Sequence, residues 1–449
     1  MCETALSRQF GTAALLRFAL PNIAMMVFLS LYTIVDGIFI SRYVGTLALS
    51  AVNMSYPLNS LEMALGIMLG TGGSAIIARE LGEGKERRAR GGFTAVVAVS
   101  LVLGILCMAA GLVFLDPLLR LLGTSDAQFQ LCRTYTQVLL CFSPALFLQT
   151  VFQILFVTAG RPGLGLGVTV AGGVANVVLD LLFMGPLRLG VAGAAVATGI
   201  GYCISAVAGT VYFFKNRTGA LWFTPFRLRW RMLLQTCWNG SSEMVSNVAN
   251  AVTTFLFNVL FLTYWGEDGV ASITIVMYFH FVFSAMYLGF SMGVAPVVSF
   301  KYGAQDREQL QKIFRSCGIF ILLCSGAMYL LSRIVIGPCL SVFTDPGSRV
   351  YAITMEGFPI YAAAFWFMGV NIFASSLFTA LSDGAVSAAI SFARTFLFLV
   401  SMLLILPQWL GAWGIWLAVP AAEALGLVVS AVFILWGRRK YGYAPCRGV

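Results

Sequence analysis

Residues 171–185 read AGGVANVVLDLLFMG. The run is apolar from end to end, yet it holds an amide and a carboxylate, Asn176 and Asp180, four residues apart. Four residues is one helical turn, so both groups share a face. Continuous apolar runs without strict alternation belong to membrane helices rather than to a barrel. The rest of the chain follows the same pattern. Of 449 residues, 59% are hydrophobic and 10% charged, and the mean hydropathy is +0.89, whereas soluble domains carry about 25% charge. The expected fold class is an all-α polytopic membrane protein. An ionisable group inside a bilayer costs roughly 2.5–3.5 kcal/mol on insertion scales, so Asp180 calls for a functional reason.

Twelve spans are expected, at 15–40, 47–77, 93–115, 131–159, 164–184, 190–214, 235–262, 269–299, 313–336, 350–380, 385–406 and 411–436. Pro21 lies inside the first and is expected to kink it. No cleavable signal peptide is expected, because the first apolar run has no basic head or small-residue cleavage site and simply becomes span one. Six of the 28 Lys and Arg residues fall in loops after odd-numbered spans: Arg42, Arg120, Arg133, Arg188, Arg333 and Arg349. The others gather at the opposite ends and the termini, which places both termini in the cytoplasm. The net charge of +10 is explained by this bias. It does not indicate nucleic-acid binding, since the basic residues are spread over short loops. The ten cysteines are scattered as packing residues, with no CxxC pair. His280 lies mid-span and is expected to be a hydrogen-bonded core histidine. With no phosphate loop, zinc signature or nucleophile elbow, the chain does not read as an enzyme and implies no cofactor.

The chain repeats itself at an offset of 221 residues. Gly72 then falls on Gly293, Gly82 on Gly303, Pro117 on Pro338, Pro186 on Pro407, and Gly190 on Gly411. Each half holds six spans, an even number, so the halves share one orientation and form a parallel repeat. This predicts two pseudo-symmetric six-helix lobes around a central cavity. They are an N-lobe over 1–214 and a C-lobe over 235–449, joined by a basic, amphipathic linker over 215–234 on the inner membrane surface.

Four segments then carry a family resemblance. They are Pro21 with VDGIFISRYVGTLALSA (35–51), ARELGEGK (78–85), LGVAGAAVATGIG (189–201) and SMGVAPVVSFKYGAQD (291–306). In this order, inside a duplicated twelve-span frame, the chain resembles the multidrug and toxic compound extrusion family over nearly its full length. The resemblance implies secondary active antiport: organic cations or drugs leave in exchange for protons or sodium, by alternating access. Together with the short tails it also implies the plasma membrane of a prokaryote, and because one duplicated chain suffices for a cavity the chain is expected to function as a monomer. The alternative is a lipid-linked oligosaccharide flippase of the same superfamily. Such proteins tend to carry cavity arginines, and here only Arg17 and Arg394 lie near span interiors.

Span direction places Asp36 and Asp180 near the outer ends of spans one and five, and Tyr135 and Thr198 early in spans four and six. These groups share one depth. Carboxylates, an amide and hydroxyls that converge in low dielectric suit a proton or an oxygen-ligated sodium ion. The resemblance assigns a cation site to the same positions, Asp36, Asn176, Asp180 and Thr198, with Tyr135 beside it. Their repeat equivalents are Phe257, Leu397, Ser401 and Val419, so the polar set is expected in the first lobe alone. Glu62, Glu243, Glu356 and Glu423 are the other buried acids, expected to form a substrate or second coupling site. Glu243 matches a family glutamate early in helix seven. Pro21 and Gly37 are the expected hinge of span one.

Overall fold

The computed structural model describes residues 5–122, 124, 126–226 and 228–443. Among these residues eleven helices are long and apolar enough to cross a membrane, and one bent pair counted as a single span makes twelve. In the first half these are α1 (Thr12–Tyr43), α2 (Thr46–Gly82), α3 (Glu86–Val113), α4 (Asp126–Cys141 continued by Ser143–Thr158), α5 (Pro162–Met184) and α6 (Gly190–Lys215). The second half holds α7 (Trp230–Trp265), α8 (Glu267–Gly303), α9 (Arg307–Phe343), α10 (Arg349–Ala380), α11 (Gly384–Leu410) and α12 (Ala412–Tyr441). A short helix, Leu115–Leu121, follows α3.

Local chemistry sets the ends and the breaks. Asp306, Ser348 and Asp383 accept backbone N–H bonds from Gln309, Tyr351 and Val386 and start α9, α10 and α11. The one long apolar run expected as span four is bent by 59° at Phe142. Pro144 lies just beyond the bend and has no N–H to continue the ladder. By contrast α1 runs unbroken from Thr12 to Tyr43 with Pro21 inside it. α10 tightens to a 3-10 turn at Ala362–Ala364, and α11 widens to a π turn at Ala393–Phe398.

The repeat is visible in the backbone. Gly190 and Gly411, equivalent at the 221 offset, open α6 and α12 with φ of 57° and 58°. A residue with a Cβ is strained there, so glycine is retained in both halves. The halves meet near the end of the bundle that carries most Lys and Arg, called here the basic end. Equivalent residues touch across a pseudo-twofold axis. A Cβ on Gly82 would lie 2.0 Å from the Phe300 carbonyl oxygen, and one on Gly303 would lie 2.2 Å from that of Arg79. A second equivalent pair of contacts flanks it, Gly72 against Thr236 and Gly240, and Gly293 against Ala19. Small residues let helix backbones touch in a membrane, where no hydrophobic effect drives helices together.

Between the halves, α6 runs to Lys215, the chain is irregular over 216–226 and 228–229, and α7 starts at Trp230. This segment has specific partners. Arg229 grips Glu80 with both ends of its fork, at 2.8 and 3.2 Å. Arg90 of α3 lies 3.5 Å over the Trp222 ring, and Phe223 donates its N–H to the Phe213 carbonyl at 3.3 Å. These contacts satisfy a backbone that forms no helix of its own. The N-terminal segment does the same for the other half. Leu6 and Phe10 are buried, Phe10 donates its N–H to Gln309 at 2.9 Å, and Lys301 donates to the Ser7 carbonyl at 3.1 Å.

Candidate functional site

Two glycine contacts assemble the first-half polar cluster. On α5 and α6, Gly172 and Gly201 face each other so closely that a Cβ on either would lie 2.9 or 3.0 Å from the other's carbonyl oxygen. One turn along α5 and just under a turn back on α6, Asn176 Nδ2 donates to Thr198 Oγ1 at 3.2 Å. On the other side of α5, the Phe28 ring of α1 fills the space where a Gly173 Cβ would stand. α1 and α5 run in the same direction, so about two turns further on Asp36 and Asp180 meet. Their carboxyls lie at hydrogen-bond range of each other.

Two carboxylates have no proton to share, so that bond exists only when one of them is protonated. No protein donor reaches Asp36 Oδ1, Asp180 Oδ1, Asp180 Oδ2 or Asn176 Oδ1. Asp180 is 0% exposed and Asn176 1%. Four enclosed acceptor oxygens with no donor, three of them on two adjacent carboxyls, are costly unless a cation or proton joins them. Tyr32, Tyr135 and Tyr202 lie within electrostatic reach of Asp36. Tyr202 did not stand out in the sequence. Its position four residues after Thr198, on the same face of α6, was the available signal.

Among the described residues, no three His, Cys, Asp or Glu side chains come together as a metal site. The cluster offers carboxyl, amide and hydroxyl oxygens, the donor type that hard cations take. The equivalent depth of the second half is filled differently. Phe257 and Val419 are buried in an apolar cluster with Phe261 and Trp416, and Leu397 is half exposed.

The four other acids do not form one group. Glu62 is enclosed between α2 and α4, where Ser143 Oγ donates to it at 2.6 Å. Glu356 is exposed on α10. Glu423 of α12 lies 3.1 Å from Arg394 Nε and accepts from Asn371 Nδ2 at 2.7 Å. Glu243 of α7 lies within electrostatic reach of the same Arg394. His280 bonds through Nδ1 to the Tyr361 hydroxyl at 2.8 Å. Gly37 has only Leu49 near the position of a Cβ, at 3.8 Å. A groove of about 760 Å³ lies among Phe255, Val259, Leu262, Thr274, Tyr278 and Phe343. It is apolar and touches none of these site residues.

A duplicated bundle of membrane helices with an enclosed carboxyl pair in one half is an architecture met among membrane transporters. The MatE family model matches residues 21–182 and 244–404, once in each half. The chain belongs to the MatE family, whose members are transporters and not enzymes. It is 21% identical over 363 residues to the multidrug export protein MepA of Staphylococcus aureus (strain NCTC 8325 / PS 47), covering 80% of each chain. MepA of Staphylococcus haemolyticus (strain JCSC1435) is 24% identical over 372 residues, again with 80% of each covered. The fold matches a solved outward-facing multidrug resistance MATE transporter of the MOP superfamily. The TM-score is 0.89 at 23% identity, over 97% of both chains.

Proposed function

We propose that this protein exports organic cations or drugs across a prokaryotic plasma membrane in exchange for protons or sodium. The observation that carries the reading is the enclosed Asp36–Asp180 pair, whose facing oxygens lack any protein donor. An exported cation and an imported ion compete for negative charge, and a carboxyl pair that is stable only when loaded supplies the exchange. Asn176 and Thr198 complete the oxygen set through Asn176 Oδ1 and the Thr198 hydroxyl, and Tyr135 closes its side. The names of the MepA relatives support drugs as the cargo.

In the proposed cycle, residues 1–214 and 235–449 move as two lobes about the connection over 215–234. Both termini and the basic end face the cytoplasm. Backbone contacts at Gly82 and Gly303 then close the cytoplasmic side of this conformation, and the substrate path opens outward. Loading Asp36 and Asp180 changes the shape of α1, which bends at Pro21 and Gly37, and substrate is expelled. One chain contains both lobes and acts as a monomer. The flippase alternative is disfavoured by Arg394, which is held beside a carboxylate rather than grouped with other arginines for a pyrophosphate.

The test is ethidium transport in proteoliposomes under an imposed proton gradient, then a sodium gradient, for wild type and Asp36→Asn. Wild type is expected to move ethidium under one gradient, which names the ion, and the variant to fold and not to transport. Undiminished transport by Asp36→Asn overturns the coupling role.

A further inference from the structure

At the basic end, the ends of α8, α9 and α12 surround a polar cavity of about 80 Å³, whose lining includes Lys301, Tyr302, Asp306, Arg307, Lys440 and Tyr441. A drug-sized ligand needs about 300 Å³ or more, so this space suits one small polar group. Three of the lining residues are cations. They face two carboxylates, Asp306 in the lining and Asp383 beside Lys440.

The pairing of these charges is incomplete. Lys301 is 2% exposed. Its Nζ donates to the Ser7 carbonyl at 3.1 Å and stands 3.5 Å from Asp306 Oδ2. An ammonium has three donors, so one is left over. Lys440 is taken by Asp383 Oδ2 at 3.0 Å, and the Tyr441 hydroxyl donates to the same oxygen. Arg307 is exposed, and its guanidinium makes no hydrogen bond, ion pair or ring contact among the described residues. It lies along Gly442 at the end of α12, with Cδ 3.4 Å and Nε 3.5 Å from where a Cβ would stand there.

The repeat shows that the scaffold does not require these cations. At the 221 offset Lys301 falls on Glu80 and Arg307 on Glu86. In the first half the chain matches both acids itself. The fork of Arg229 holds Glu80 at 2.8 and 3.2 Å, and Arg90 holds Glu86 at 2.8 Å. In the second half the signs are reversed, and no acid among the described residues answers Arg307. That surplus calls for an anion from outside the chain. A phosphate group fits, because its oxygens accept two parallel N–H bonds from an arginine and a further one from a lysine.

Position selects the source of the phosphate. α12 exposes Val428, Val432, Leu435 and Trp436 and then turns basic at Arg438, Arg439 and Lys440. Lys440 Nζ stands 4.9 Å from the centre of the Trp436 ring. An exposed tryptophan beside basic residues marks the level of lipid headgroups, and basic pockets between helices at that level suit anionic ones. We propose that the cavity seats the phosphate of an anionic membrane phospholipid, held by Arg307 and Lys301 with Lys440 at its rim. The inference does not depend on the export reading.

Lys301 and Tyr302 directly precede Gly303, where the halves meet, so thermal unfolding reads binding at this place. The probes are dioleoylphosphatidylglycerol, dioleoylphosphatidylcholine and sodium phosphate, each added to the purified full chain in neutral detergent at constant ionic strength. Phosphatidylglycerol is expected to raise Tm by several degrees. Phosphatidylcholine, whose choline cancels the phosphate charge, is expected to raise it less than half as much. Arg307→Gln alters an exposed side chain and is expected to lose at least half of the phosphatidylglycerol shift, and Arg307→Lys to lose less. Arg87→Gln removes an exposed charge at the same end but outside the cavity, and is expected to keep the shift. An equal shift from sodium phosphate, lost in Arg307→Gln alone, would keep the phosphate site and overturn the lipid as its source. A shift kept in Arg307→Gln, an equal loss in Arg87→Gln, or no shift from any probe overturns the inference.

Discussion

Gly82 and Gly303 occupy the same place in the two halves of the repeat and lie against each other's helices, each within about one atom's width of the opposing backbone. The duplicated sequence thus meets itself at its own symmetry axis. A methyl group at either position would press on a carbonyl oxygen, which cannot rotate away as a side chain does. Gly82→Ala and Gly303→Ala are each expected to cost about 1–3 kcal/mol by overpacking. Both strain one contact, so the double variant is expected to cost less than the sum of the singles. Thermal unfolding of all three in detergent checks this, and strict additivity would contradict a shared contact.

The Asn176–Thr198 bond depends on a hydroxyl at one position. Thr198→Val keeps the shape and removes the acceptor, leaving the buried Asn176 amide unpaired on both sides. A buried amide without a partner costs about 1–3 kcal/mol. Gradient-driven ethidium transport is expected to drop tenfold or more in Thr198→Val and to be largely kept in Thr198→Ser. Equal loss in both would mean that the side chain matters for packing and not for its oxygen.

Arg229 fastens the connection between the lobes to the end of α2 through Glu80. The pair is partly exposed, so its net worth is about 1 kcal/mol or less. Glu80→Gln is expected to leave the fold intact and to speed proteolytic cleavage within 216–229 several-fold. The reversed pair Glu80→Arg/Arg229→Glu is expected to restore part of the protection. Cleavage rates that ignore all these changes would show that the segment is held by its other contacts.

Asp383 caps α11 and receives bonds from the Tyr441 hydroxyl, from Lys440 at 3.0 Å and from the Val386 N–H at 3.3 Å. Partial burial pushes its carboxyl upward, but these donors outweigh that and hold it below the ordinary value. A depressed folded-state value stabilises the protein above the ordinary carboxyl pKa of about 3.9, and this is lost as pH falls through the folded value. Asp383→Asn is expected to flatten the fall in Tm below about pH 4. It should lower Tm modestly at pH 7, where the Lys440 pair is lost. An unchanged acid limb in the variant would show that other carboxyls control acid sensitivity.

The sequence by itself determined the spans, their common direction in each half, the 221-residue repeat and the faces that carry polar groups. These properties are local or periodic: a run of apolar residues commits a segment to the bilayer, and helical spacing puts Asn176 and Asp180 on one side. It also marked Asp36, because a charge inside an apolar span is costly wherever the helix packs. Only the tertiary structure decided which faces meet. The meeting of Asp36 with Asp180 depends on the Phe28–Gly173 crossing, and the Asn176–Thr198 bond on the Gly172–Gly201 crossing. Nothing in the sequence around Arg394 showed that it would lie beside Glu423, because the two residues are on different helices whose rotations are set by packing. The bend at Phe142 and the irregular backbone over 216–226 were hidden for the same reason. Hydropathy records how apolar a segment is, whereas a break or a coil is decided by the partners available to its backbone.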